Sequence, residues 1–138
     1  MLLKNSVYLC CTFLSAVALV CSSAKAAGDA TKGAIIFHQC QLCHTAEKGV
    51  NKIGPSLYGV VGRPAGNIAD FEYSDAMKAA AAKGLIWSEE NIIKYLANPH
   101  QFFIDYLGEK QVRNKMTFFL TDEQDRENVV AYLKTVPK

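Results

Sequence analysis

The sequence has few cysteines, little net charge and no long apolar run beyond its first 20 residues. Its 15 Lys and Arg side chains nearly balance 13 Asp and Glu, and no run of like charge indicates a nucleic-acid-binding arm. The charged fraction of 20% and the aromatic fraction of 10% are too high for a disordered tail. No apolar stretch is long enough for a multi-span membrane protein. We expect one folded domain in a chain of 138 residues.

The first 26 residues have the pattern of a secretory signal peptide. Lys4 gives a positive start, residues 7–20 are almost entirely apolar, and Ala24-x-Ala26 fits the small-residue cleavage pattern. We therefore predict a cleaved signal peptide over 1–26 and a mature domain over 27–138. An uncleaved anchor helix is the alternative, although the apolar run is short for a bilayer span.

Cleavage removes three of the five cysteines and leaves Cys40 and Cys43 in a nearly neutral mature chain. Two cysteines do not make a disulfide scaffold, although export would permit disulfides. A domain of about 112 residues buries only about two-thirds of the surface of its unfolded chain. A large cofactor would therefore add to a modest core.

The mature chain contains signals for helices and no convincing strand. A capping residue precedes a helical pattern at five positions: Asp29, Ser74, Ser88, Asn98 and Thr121. With Gln124, Thr121 predicts a capping box. Residues 45–70 are rich in glycine and proline, which predicts one long loop of the kind that wraps a ligand or carries function. We predict a single all-α domain.

The chemistry is concentrated in the segment Cys40-Gln-Leu-Cys43-His44. Two cysteines three positions apart can form thioethers with the two vinyl groups of a haem, and the histidine that follows can bind its iron. A redox disulfide or half of a zinc site are the alternatives. A zinc site needs further ligands, and the remaining His38 and His100 are not at ligand spacing. A thioredoxin-like site needs a preceding strand, whereas a helix is predicted here.

A sixth iron ligand has four candidates: His38, His100, Met77 and Met116. Met77 lies in an alanine-rich predicted helix, where a methionine is usually core filler. Met116 lies in an irregular stretch before the last helix. Its side chain can therefore approach iron opposite His44 without a helix in the way. We favour Met116, with a packing methionine as the alternative.

Over essentially the whole mature chain, the sequence resembles the class I c-type cytochromes, small electron carriers that include mitochondrial cytochrome c. The matching blocks are GDATKG at 28–33 with Phe37, CQLCHT at 40–45, GPSLYG at 54–59 with GR at 62–63, FEYS at 71–74, GLIW at 84–87 with YLANP at 95–99, KMTF at 115–118, and AYLK at 131–134. The resemblance implies the class I cytochrome c fold, with helices and long loops wrapped around one covalently bound haem.

The resemblance also implies roles for individual residues. Cys40 and Cys43 would be the thioether anchors of the haem c, and His44 and Met116 the axial ligands of its iron. The Pro55 carbonyl would accept a hydrogen bond from His44 Nδ1. Three further residues would donate to the haem propionates: Arg63, Tyr73 and Trp87. Tyr95 and Phe118 would line the Met side of the pocket, and a close helix crossing would place Gly33 and Phe37 against Tyr132 and Leu133.

The segment from Pro99 to Met116 is longer than in mitochondrial members of the family by about two helical turns. Its apolar residues predict an added amphipathic helix: Phe102, Phe103, Tyr106 and Leu107. What this insertion does is not readable from the sequence.

We expect a monomeric periplasmic electron carrier that binds no nucleic acid and does not stay inserted in the membrane after signal cleavage. It would take one electron from a donor such as a cytochrome bc complex and pass it to a terminal oxidase or reductase. The alternatives are a haem enzyme with an open iron and a membrane-complex subunit held by an uncleaved signal. Five basic residues predict a basic collar at the haem edge: Lys48, Lys52, Lys110, Arg113 and Lys115.

Overall fold

The computed structural model describes residues 27–137, so the predicted signal peptide over 1–26 lies outside the described residues. Five helices follow one another along the chain: α1 (Ala30–Cys40), α2 (Asp75–Ala82), α3 (Glu89–Ala97), α4 (Pro99–Leu107) and α5 (Glu123–Thr135). Within the described residues there is no named strand, and the one β-bridge joins Pro64 to Ile86. The prediction of an all-α domain is confirmed.

Four of the predicted helix starts are also confirmed. The carboxylate of Asp29 accepts hydrogen bonds from the backbone N–H groups of Thr31 and Lys32 at the start of α1. The side chains of Ser74, Ser88 and Asn98 each accept one from the N–H three residues further on. These bonds satisfy donors that have no partner within the helix, and so they fix where each helix begins.

The predicted start of the last helix is wrong by one residue. Asp122, and not Thr121, is the N-cap of α5, and its carboxylate accepts from the Asp125 N–H at 2.9 Å. Arg126 explains the shift, because its Nη1 donates to the carbonyl oxygens of Leu120 and Thr121 and holds both outside the helix. The predicted capping box does not form. The Gln124 side chain donates to Asn128 instead.

The first and last helices cross at Gly33, as the sequence predicts. A Cβ atom at Gly33 would lie 1.9 Å from the Asn128 carbonyl oxygen, so only glycine allows the two backbones to approach this closely. The rings of Phe37 and Tyr132 pack beside the crossing with centroids 4.9 Å apart. The Asn128 side chain accepts from the Asp29 N–H at 2.8 Å. The two ends of the described chain are therefore joined.

The insertion forms α4, which confirms the predicted extra helix. Phe102, Phe103 and Leu107 are buried in the core, and Tyr106 is half-buried. The Asn98 cap, with Pro99 at the first position, begins this helix, and Gly108 ends it with a φ of 74°. None of the helices within residues 27–137 is both long enough and apolar enough to cross a membrane.

Residues 112–120 connect α4 to α5 without helix or strand structure and bend at Lys115. Their burial alternates: Val112, Asn114, Met116 and Phe118 are half-buried, Leu120 is buried, and the residues between them are exposed. At its two ends the segment is held by backbone hydrogen bonds, from Ala76 N–H to the Arg113 carbonyl and from Leu120 N–H to the Leu96 carbonyl. The stretch predicted to be irregular is therefore irregular in the structure, and it has one inward face.

Candidate functional site

One cavity of about 550 Å³ brings the sequence-predicted site residues together. Its lining comes from helices α1, α2, α3 and α5, from the loops between them and from the 112–120 segment, and includes Cys40, Cys43, His44, Pro55, Arg63, Tyr73, Trp87, Tyr95, Met116 and Phe118. Its volume lies within the range typical of cofactor sites. Two candidates from the sequence do not belong to it. His38 and His100 are both exposed and lie outside the lining.

The His44 imidazole is held in one orientation. Its Nδ1 lies 2.7 Å from the carbonyl oxygen of Pro55, which confirms the predicted hydrogen bond. A carbonyl oxygen can only accept, so Nδ1 carries the proton and Nε2 keeps a free lone pair. Burial lowers the pKa of His44, while the bond to Pro55 acts in the opposite direction. The ring is therefore a neutral imidazole, the form that binds a metal.

The loop that carries Pro55 is fixed against the Cys43–Thr45 segment. Gly54 N–H donates to the Cys43 carbonyl, and Leu57 N–H donates to the Thr45 carbonyl, each at 2.8 Å. A Cβ atom at Gly54 would lie 2.3 Å from His44 Cε1, so glycine lets the backbone contact the ring face. The sequence alone does not predict this contact, because no local pattern places a glycine backbone against an imidazole ring.

Both cysteines of the motif are free and border the cavity, but their surroundings differ. Cys40 is half-buried at the end of α1, whereas Cys43 is exposed. Burial raises the pKa of Cys40 to about 11, and the neighbouring Cys43 adds a smaller effect in the same direction. Cys40 is therefore a neutral thiol at physiological pH, and its sulfur is available to a group inside the cavity.

Both candidate methionines line the cavity. Met77 is half-buried on α2, and Met116 is half-buried on the inward face of the 112–120 segment. The Asn114 side chain contacts the Met116 backbone twice. Its Nδ2 donates to the carbonyl oxygen of Met116 at 2.7 Å, and its Oδ1 accepts from the Met116 N–H at 3.4 Å. The sequence alone does not predict a role for Asn114, because it is one of several polar residues in an irregular stretch.

Arg63 supplies an unpaired donor at the cavity wall. Its Nη1 donates to the Tyr58 carbonyl at 2.6 Å and its Nη2 to the Ser56 carbonyl at 2.9 Å. Its Nε is buried and has no hydrogen-bond partner among the described residues. A buried donor without a partner is costly. Nε is thus suited to an acceptor group bound in the cavity.

Aromatic side chains form another part of the cavity wall. Trp87 and Tyr95 line the cavity and contact each other edge to face, with centroids 5.0 Å apart. Phe102 of α4 packs behind both, at centroid distances of 6.0 Å and 5.5 Å. The inserted helix therefore supports the cavity wall from the core side.

These features fit a haem c. A flat apolar group would be covered by the aromatic wall, its acidic substituents would meet the unpaired Arg63 Nε, and the two free thiols border the same space as the neutral imidazole of His44. The Gly54 backbone lies against the His44 ring at a place where a side chain would not fit.

Comparison with known proteins agrees with this geometry. The family model described as cytochrome c matches residues 30–137. Cytochrome c2 from Rhodopseudomonas palustris is 47% identical over 114 residues, covering 78% of this chain and 98% of that protein. Cytochrome c2 from Cereibacter sphaeroides is 48% identical over 118 residues, covering 79% and 95%.

Solved structures agree as well. Cytochrome c2 from Rhodobacter sphaeroides superposes with a TM-score of 0.74 at 45% identity, covering 79% of this chain and 96% of that one. Cytochrome c2 from Rhodospirillum centenum gives the same TM-score at 40% identity, covering 80% and 100%. The chain therefore belongs to the cytochrome c family, as a class I c-type cytochrome that carries electrons through a covalently bound haem c and is not an enzyme.

Proposed function

We propose that Cys40 and Cys43 are the thioether anchors of the haem, and that His44 and Met116 are the axial ligands of its iron. One observation carries this proposal: all four side chains border the same cavity of about 550 Å³. When bound, the haem iron accepts and releases one electron, and a His/Met pair raises its reduction potential.

The surroundings of His44 suit a metal ligand. The Pro55 bond keeps the proton on Nδ1, and burial disfavours the charged ring. Because the partner of Nδ1 is a backbone carbonyl, no side-chain substitution at position 55 deletes it directly. The bond fixes the ring orientation and increases the basicity of the ligand.

Met116 and Met77 compete for the sixth position, since both line the cavity. The backbone of Met116 is held by Asn114, in a segment whose inward face borders the cavity. Met77 lies on a short helix, half-buried against the core cluster. We therefore assign the ligand to Met116 and a packing role to Met77.

Methionine-to-alanine variants test this assignment. Met116→Ala should abolish the weak long-wavelength band of sulfur–ferric iron bonding, lower the potential and permit carbon monoxide binding. Met77→Ala is the matched control and should keep the band. Its loss of unfolding free energy should be smaller than the loss of about 2–5 kcal/mol typical of a fully buried methionine, because Met77 is only half-buried. Survival of the band in Met116→Ala with its loss in Met77→Ala would reverse the assignment.

Cysteine variants test the covalent attachment. With both Cys40 and Cys43 replaced by alanine, the haem should be lost in denaturing solvent, because no thioether remains. The wild-type chain should carry haem through a denaturing gel. Covalent haem in the double variant would contradict the assignment.

We further propose that the protein works in the periplasm, after removal of residues 1–26, and carries electrons from a cytochrome bc complex to a terminal oxidase or reductase. The N-terminal sequence pattern and the similarity to bacterial cytochromes c2 support this proposal. N-terminal sequencing of the protein from fractionated cells tests both the location and the cleavage site. An N-terminus at Met1 on a membrane-bound protein would contradict it.

Two lysines at the cavity opening provide a docking feature for acidic partners. Leu42 and Ile53 line the cavity yet are 79% and 83% exposed, so they border its opening. Lys52, next to Ile53, donates from Nζ to the Gln41 carbonyl at 2.6 Å. Lys115 lines the cavity and is exposed. These lysines and apolar side chains form a basic rim around an apolar contact.

The other members of the predicted collar support it less directly. Lys48 lies over the Tyr58 ring, 5.9 Å from its centroid, and so is drawn toward that ring. Lys110 and Arg113 are exposed but lie outside the cavity lining. We therefore centre the proposed collar on Lys52 and Lys115.

Electron-transfer kinetics test the collar. The second-order rate with a purified donor complex should fall as ionic strength rises, because salt screens charges beyond a Debye length of about 8 Å at 0.15 M. Lys52→Glu and Lys115→Glu should flatten this dependence. Lys32→Glu, on an exposed part of α1 outside the lining, is the matched control. Equal effects from all three substitutions would contradict the collar.

A further inference from the structure

We infer that Asn114 is a positioning residue that holds Met116 in place for the iron. Its side chain clamps the backbone of Met116, so that the thioether is presented in one arrangement. This inference rests on the proposed role of Met116 as the sixth ligand. It adds a residue to that site which neither the sequence motif nor the family resemblance assigns.

The clamp uses both polar atoms of the asparagine amide. Nδ2 donates to the Met116 carbonyl oxygen at 2.7 Å, and Oδ1 accepts from the Met116 N–H at 3.4 Å. The first bond is short and the second is long. Together they restrain the peptide groups on both sides of the Met116 Cα, and these determine where the side chain starts.

The surrounding backbone offers no substitute for this clamp. Among the described residues, the backbone groups of 114–119 make no backbone–backbone hydrogen bond. The main chain is tied only further out, by the bonds at Arg113 and Leu120. In a segment whose backbone has no such partner, the side chain of Asn114 supplies the hydrogen bonds that hold the Met116 backbone.

The clamp is itself anchored to the core. The Asn114 side chain also interacts with the hydroxyl of Tyr95 on α3. Tyr95 is only 8% exposed and packs against Trp87, Phe102 and Phe103. Burial raises the pKa of Tyr95 far above its usual value, so the hydroxyl stays neutral. Through Asn114, the position of Met116 therefore depends on the packed helix α3 and not on the loop alone.

The chemistry of the amide makes Asn114 difficult to replace. Aspartate has the same shape but lacks a donor for the Met116 carbonyl, and it would bring a carboxylate oxygen against that carbonyl oxygen. Alanine removes both bonds. Serine is too short to reach both atoms, although its hydroxyl can still accept from the Met116 N–H.

Ligand displacement in the ferric protein measures the clamp. Added imidazole replaces a weakly held methionine, and at saturating imidazole the observed rate reports the release of Met116. We expect Asn114→Ala and Asn114→Asp to raise this rate at least fivefold, roughly the effect of losing one hydrogen bond, and to lower the reduction potential. Gln111→Ala, at an exposed position just before the segment and outside the cavity lining, should stay within about twofold of wild type.

The outcomes separate this inference from the proposed function. If Met116→Ala keeps the long-wavelength band, Met116 is not the iron ligand, and the inference about Asn114 fails together with that assignment. If Met116→Ala loses the band but the Asn114 variants keep the wild-type release rate and potential, the ligand stands and the inference is overturned. A lower free energy of unfolding without a faster release also overturns it. Should the alanine and aspartate variants not retain haem, Asn114→Ser decides by the same rate.

Discussion

Replacing Gly33 by alanine should destabilise the protein, although alanine is the better helix former. The new Cβ atom would lie 1.9 Å from the Asn128 carbonyl oxygen and 2.9 Å from Tyr132 Cβ. Neither neighbour can move aside, because one is helix backbone and the other is the first atom of a side chain. To reach an ordinary C···O contact of about 3.3 Å, α1 and α5 must separate by about 1.4 Å.

The expected loss follows from three opposing effects. Alanine in a helix interior gains about 1 kcal/mol over glycine. Overpacking at a tight crossing costs about 1–3 kcal/mol. A separation of this size also stretches the 2.8 Å hydrogen bond between Asp29 N–H and the Asn128 side chain, which costs about another 1 kcal/mol. We expect a net loss of about 2 kcal/mol, which in a domain of this size lowers Tm by about 8 °C.

Guanidinium unfolding followed by helical circular dichroism measures this loss. Gly108→Ala is the control, because a Cβ atom there meets nothing within 4 Å, while the φ of 74° is still unfavourable for alanine. That variant should lose only about 1 kcal/mol, from backbone conformation alone. A Gly33→Ala protein as stable as wild type would show that the helices can separate freely, and would refute the reasoning.

Three further outcomes are expected. Gly54→Ala should reduce the yield of haem-loaded protein, because its Cβ atom would lie 2.3 Å from the imidazole ring that binds the iron, and absorbance per mole of chain measures this yield. Asp122→Ala should lower the free energy of unfolding by about 1 kcal/mol through loss of the α5 cap, whereas Thr121→Ala should change it by less than about 0.5 kcal/mol. The Glu90 carboxyl should titrate below its usual pKa of 4.5, because Lys94 donates a hydrogen bond to it. The small contribution of this pair to the free energy of unfolding is therefore present above pH 4.5 and is lost as the pH falls through the lowered pKa. An NMR titration of the Lys94→Met variant should show the pKa of Glu90 returning toward 4.5.

The helices could be predicted because their starts depend on local chemistry. Ser74 and Ser88 each bond an N–H three residues on, and such contacts are readable from the sequence alone. The start of α5 was missed by one residue because Thr121 and Asp122 are adjacent capable caps. The choice between them is made by the Arg126 side chain and by the link from Leu120 to α3.

The haem motif and the bond that supports His44 could be predicted, whereas the other supports of the site could not. The cysteine and histidine spacing identifies a haem motif, since the covalent chemistry requires neighbouring residues. The supports instead join distant parts of the chain: the Gly54 backbone lies against His44, and Arg63 reaches back to Ser56 and Tyr58. Asn114 acts over two residues, but its action matters only because no strand pairs with its segment. Such roles emerge from tertiary packing.

The crossing of α1 and α5 also constrains how the chain reaches its folded state. The bond between Asp29 and Asn128 joins residues 99 positions apart, so closing this contact encloses most of residues 27–137 in one loop. Ribosomes add about 5–20 residues per second, and the partner of the first helix is the last to be synthesised. The cavity that borders Cys40, at the end of α1, is therefore complete only after the carboxyl-terminal helix has been synthesised. A nascent chain that stops short of α5 has the attachment motif but cannot close the pocket around it.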